Sequence, residues 1–69
     1  MNNETPKYPD ITVQLSGEDG NAFFIISRVM RALRRAKVAD VQTEEFRKEA
    51  MAGDYDHVLQ TCMRWVVVE

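Results

Sequence analysis

Apolar positions along this chain follow two spacings, and each predicts its own kind of element. Ile11, Val13 and Leu15 alternate with Thr12, Gln14 and Ser16, so Ile11–Leu15 reads as a half-buried strand. From Asn21 to about Val38 the period lengthens to that of a helix. Laid out at about 3.6 residues per turn, Ala22, Phe23, Ile25, Ile26, Val29, Met30, Ala32, Leu33 and Ala36 share one half of a long amphipathic helix. Ser27, Arg28, Arg31, Arg34 and Arg35 occupy the other half, with Phe24 among the arginines. The closing Trp65-Val66-Val67-Val68 is aromatic and β-branched, and reads as a second strand.

Turn and capping residues divide what lies between. Gly17-Glu18-Asp19-Gly20-Asn21 ends the first strand, and Asp19 or Asn21 can accept from the free N–H groups of the helix that follows. Thr43, followed by Glu44 and Glu45, reads as the N-cap of a second helix whose inner face holds Phe46 and Ala50. Gly53 is expected to stop it in the left-handed conformation. Asp54 then caps a third helix, Tyr55 to about Arg64, with Val58, Leu59, Cys62 and Met63 inward. The predicted fold is a small single α/β (α+β) domain over residues 10–69. Its order is β-α-α-α-β, with the two terminal strands paired. Pro6 and Pro9 keep Thr5 and Tyr8 out of the helical region, so residues 1–9 read as a flexible arm.

Size changes the picture. A core of 69 residues supplies little net stability by itself, and a single cysteine, Cys62, rules out an internal disulfide. One histidine and one cysteine fall short of a closed zinc site, so neither metal nor cofactor is expected. Self-association into a homo-oligomer is the remaining way to add stability. Eleven acidic against nine basic residues give a net charge of −2, which argues against general nucleic-acid binding. The charge is nonetheless uneven: Ser27 to Lys37 holds five bases and no acid, while Glu44, Glu45, Glu49, Asp54 and Asp56 make the second half acidic. No apolar run is long enough for a bilayer or a secretion leader, and the expected setting is cytoplasmic.

Three constellations bear on function. Asp19-Gly20-Asn21 is a strand–glycine–helix junction, which suits either an ordinary cap or a phosphate or ribose contact, although neither standard nucleotide fingerprint is present. Phe24 with Arg28, Arg31, Arg34 and Arg35 forms a basic face with an aromatic in it, which suits a subunit interface, cover by another part of the same chain, or a flat anion. His57, Thr61 and Arg64 share a row on the third helix, flanked by Tyr55 and Trp65, and can be read as phosphate and base contacts or as core and surface. No serine–histidine–acid arrangement occurs, and Cys62 lies on an apolar stripe that makes a thiol inert. An enzyme is not expected.

The segments Asp19-Gly20-Asn21-Ala22-Phe23, Gly53-Asp54-Tyr55-Asp56-His57 and Met63-Arg64-Trp65-Val66 resemble a group of short proteins of bacterial genomes and phages. The likeness spans about residues 8–69 and carries no established activity. By analogy, a phage origin would suit a compact anti-defence protein. The sequence therefore suggests a non-enzymatic protein that sequesters an anionic ligand between subunits, best guessed as a nucleotide or cyclic-nucleotide immune signal. Arg28, Arg31 and Arg64 would meet phosphates, with His57 in the same row as Arg64. Phe24, Tyr55 or Trp65 would stack on bases, and Asn21 or Thr61 would contact sugar or base edges. The alternative is a protein-interaction module that docks its basic helix on an acidic partner.

Overall fold

Two strands from opposite ends of the chain lie side by side and parallel, β1 at Tyr8–Val13 and β2 at Val66–Val68. Parallel neighbours need a crossover, and three helices supply it: α1 (Ala22–Arg35), α2 (Asp40–Ala50) and α3 (Tyr55–Trp65). This computed structural model describes residues 5–15 and 20–69. Asp19 and its neighbours 16–18, assigned above to a turn and a cap, lie outside the described residues, as do residues 1–4. The β-α-α-α-β order and the paired terminal strands are as the pattern predicts.

The pairing is irregular at its start. Tyr8 is opposite Val66 but Thr12 is opposite Val67, so Pro9, Asp10 and Ile11 are extra on the β1 side. Pro9 has no N–H to offer a ladder, and such residues are tolerated at bulges and edges. β1 thus begins at Tyr8, inside the segment expected to be an arm, and ends at Val13, short of Leu15. Tyr8 is held by its ring, which stacks on Trp65 at 5.9 Å between centroids. Backbone bonds extend the pairing at both ends: Lys7 N–H donates to Arg64 O (2.9 Å), Glu69 N–H to Val13 O (2.9 Å), and Leu15 N–H to Glu69 O (2.8 Å).

The core gathers Val13, the α1 stripe Ile25, Ile26, Val29 and Leu33, then Phe46 and Ala50 of α2, Val58, Cys62 and Trp65 of α3, and Val66. Phe46 meets Trp65 edge-on at 5.6 Å, so the indole is packed by Phe46 and Tyr8 at once. Trp65 is the last residue of α3, and the strand begins one residue later than expected.

Several expectations need correction. The helices have 14, 11 and 11 residues, so the fold has three comparable helices in place of one long one. α1 stops at Arg35 because Lys37 adopts φ 65°. Val38 N–H then reaches Leu33 O (3.0 Å) and Lys37 N–H reaches Arg34 O (2.9 Å). This is the paired-bond ending that usually has glycine at the left-handed position. Phe23, placed on the inner half, is 67% exposed. It sits about 100° round the helix from Ala22 and falls off the edge of the stripe.

α2 starts at Asp40, with Ala39 as a cap that makes no side-chain bond. Thr43 is a buried residue inside the helix, and its hydroxyl donates back to Ala39 O (3.4 Å). Gly53 is not left-handed; a Cβ there would lie 2.7 Å from Cγ of His57, so the glycine serves close approach. Met63 points outward, 54% exposed, and Thr61 takes the buried place beside Cys62. Asn21 and Asp54 do cap their helices. Asn21 Oδ1 accepts from Phe23 N–H (2.9 Å) and Phe24 N–H (3.2 Å), and Asp54 Oδ1 from His57 N–H (3.0 Å).

Candidate functional site: the arginine cleft of α1

Residues 24, 28, 31 and 35 recur at helical spacing and form a single row along α1. Phe24 heads it, partly exposed, and the Arg28 guanidinium lies over its ring at 5.9 Å from the centroid. Arg28 Nε also donates to the backbone oxygen of Gln14 at 3.0 Å. Arg28, Arg31 and Arg35, with Ala32, face Thr12, Val13 and Gln14 of the β1 region across a cleft of about 250 Å³. None of these lining residues is acidic. Among the described residues, neither Arg31 nor Arg35 meets a carboxylate. Arg34 falls on the other flank, where its charge helps hold Glu44 below the usual carboxylate range, an effect led by the hydrogen bond from Arg47.

Among the described residues, the strand beside this row is an open edge. Val13 and Leu15 both bond to Glu69, and backbone groups of successive strand residues point to opposite edges. Thr12 and Gln14 therefore turn their N–H and C=O groups away from β2, toward the arginine side. The Gln14 carbonyl is occupied by Arg28.

The α3 row is closed by α2. Arg64 Nη2 donates to Glu49 Oε2 (2.6 Å) and to Thr61 Oγ1 (3.3 Å). Trp65 Nε1 donates to Glu49 Oε1 (3.3 Å). His57 Nε2 lies 2.7 Å from the backbone oxygen of Glu49. A carbonyl can only accept, so Nε2 carries the proton in this contact. Thr61 Oγ1 in turn donates to His57 O (2.8 Å). The Arg64 hydrogen bond, and after it the indole N–H, hold the Glu49 carboxyl below its usual range against an opposing push from burial. Lys7 Nζ stands 4.4 Å from the Trp65 ring centroid, so the indole has a cation contact as well as its two aromatic neighbours.

The predicted site residues thus separate. Phe24, Arg28 and Arg31 come together, with Asn21 capping the start of the same helix. His57, Thr61, Arg64 and Trp65 come together elsewhere, engaged with Glu49. Tyr55 stands apart, 45% exposed, on an apolar hollow of about 210 Å³ that it shares with Phe23 and Met51. Sequence reading grouped Arg35 with the basic face but left it out of the ligand contacts, although it lies one turn beyond Arg31. It also missed the Thr12 and Gln14 backbone and the pivotal Glu49. The first two were legible from spacing alone; Glu49 was not, because its partners lie 15 and 16 residues away.

Burial pushes the Cys62 thiol up to about 11, away from the reactive thiolate. Among the described residues no group of three or more histidine, cysteine, aspartate or glutamate side chains is arranged to hold a metal ion. No described helix is long and apolar enough to cross a membrane. Comparison of the chain with protein-family models, with curated proteins and with solved structures found no match.

Proposed function

We propose that this protein is a non-enzymatic binding module that receives an anionic partner in the cleft between α1 and β1. The observation that carries this reading is the alignment of Arg31 and Arg35 with Arg28 along one cleft whose described lining holds no acid. Arg31 and Arg35 are the docking groups. Arg28 sets one wall, held between Phe24 and Gln14. The His57–Thr61–Arg64 row, with Trp65, contributes to stability instead of ligand contact, which moves the binding surface away from four of the nine residues expected in it. A nucleotide clasped by Arg64 and Trp65 loses support accordingly, and the acidic-partner alternative gains it.

The cleft is open and shallow, so its ionic contacts are screened. Exposed guanidinium–anion contacts contribute about 0.2–1 kcal/mol each, and two or three of them sum to at most about 3 kcal/mol, which holds a small polyanion no more tightly than a Kd of several millimolar. Self-association remains part of the proposal, with Phe23, Met51 and Tyr55 as the exposed apolar surface it can draw on.

Titration of isotope-labelled protein with citrate and with inorganic triphosphate tests the reading. The arginine Nε–H signals of Arg31 and Arg35 should shift together, and the response should fall several-fold between low and physiological salt. Saturating anion that leaves both signals unmoved would refute it.

A further inference from the structure

We infer that the occupant of the arginine cleft is an acidic polypeptide segment in extended form, which adds to β1 as a third strand. This rests on the anion-binding reading above and names its partner. Three observations converge on it. The first is the edge itself: Thr12 N–H and C=O and Gln14 N–H face away from β2, while Gln14 C=O is already covered by Arg28. A two-stranded sheet gains most from a third strand, and unpaired edges are where extended segments dock. The second is charge. Among the described residues Arg31 and Arg35 line the cleft without a carboxylate partner, so an acidic segment fits them and a basic one is repelled.

The third observation is spacing. Arg31 and Arg35 are four residues apart, about 6 Å along a helix. Side chains on one face of an extended chain recur every two residues, or about 6.6 Å. Acids at alternate positions of a docked strand therefore match the two guanidinium groups in pitch. A compact anion uses the arginines and leaves the strand donors idle. A second copy of this chain fits less well, because Asp10 in β1 and Glu69 after β2 do not place acids at alternate strand positions, and Glu44, Glu45 and Asp56 lie on helices.

The experiment uses an eight-residue peptide alternating threonine and glutamate, the same peptide N-methylated at alternate residues in each of the two registers, and citrate. Binding is followed by nuclear magnetic resonance together with amide hydrogen exchange. The peptide should bind at least tenfold more tightly than citrate. Exchange of the Thr12 and Gln14 amides should slow at least tenfold, and methylation in one register should weaken binding at least tenfold. The Arg31→Glu/Arg35→Glu variant, with its fold checked by circular dichroism, should lose the peptide.

Equal binding of all three peptides with no change in Thr12 or Gln14 exchange would overturn strand addition while leaving anion binding intact. Silence of the Arg31 and Arg35 signals toward both peptide and citrate would overturn both readings. Slowed exchange that depends on protein concentration, without peptide, would assign the edge to a second copy and overturn the inference.

Discussion

Two helical rows of this protein look alike on paper and have opposite fates. Arg28–Arg31–Arg35 on α1 and His57–Thr61–Arg64 on α3 each place polar groups three or four residues apart on one face. The α3 row is met by Glu49 of α2, whose two carboxylate oxygens and one backbone oxygen take contacts from Arg64, Trp65 and His57. The α1 row is met by the edge of β1, which offers one carbonyl to Arg28 and no carboxylate to Arg31 or Arg35. A row of donors is taken up by the fold or left exposed according to what the neighbouring element brings to it.

Substitutions that load one side of this comparison sharpen it. The largest expected effect is Gly53→Ala, which forces a methyl to within 2.7 Å of the His57 ring. It should cost about 1–3 kcal/mol by overpacking and loosen the α2–α3 contact, while leaving citrate binding at the cleft unchanged. Chemical denaturation and the arginine signals measure the two halves of that statement.

Glu49→Gln comes next. It retains an acceptor for the indole and removes the ion pair with Arg64, a half-exposed pair whose loss should cost about 1 kcal/mol at neutral pH. The pH dependence has a definite sign. Glu49 titrates below its ordinary value of 4.5 in the folded state, led by the Arg64 bond. Its contribution is therefore complete above the unfolded-state value and disappears as pH falls through the folded one. The stability gap between wild type and Glu49→Gln should close over that acidic window and stay constant above it.

Lys37→Gly acts in the other direction at the end of α1. Relieving a non-glycine residue at φ 65° should stabilise the protein by about 0.5–1 kcal/mol, net of the extra chain freedom glycine gains when unfolded. The thermal midpoint checks it. The smallest stability effect belongs to Arg31→Glu/Arg35→Glu, within about 0.5 kcal/mol of wild type. These side chains support nothing described inside the molecule, so the same variant should lose its anion binding.

The order of elements was readable because it rests on local periodicity. Ile11, Val13 and Leu15 alternate, Ile25, Ile26, Val29 and Leu33 recur at helical spacing, and Asn21 and Asp54 cap by short-range geometry. What failed depended on neighbours distant in sequence. Thr43 resembles a cap but is buried, because the turn after Lys37 lets α2 begin four residues earlier. Gly53 resembles a helix stop, yet its want of a side chain is required by His57. Phe23 and Met63 are apolar residues just off their stripes, and a helical wheel alone does not fix how wide a stripe the core can cover. The site divided for the same reason. Arg28 and Arg31 could be grouped from spacing, whereas the occupation of Arg64 and Trp65 by Glu49 is a tertiary fact.

The central claim is that Arg31 and Arg35 of α1 are available guanidinium groups and Arg64 of α3 is an occupied one. Arginine Nε–H spectra recorded during a triphosphate titration test it most directly. The account predicts that the Arg31 and Arg35 signals move with a common binding curve while Arg64 stays fixed. Movement of Arg64, with Arg31 and Arg35 unaffected, would contradict it.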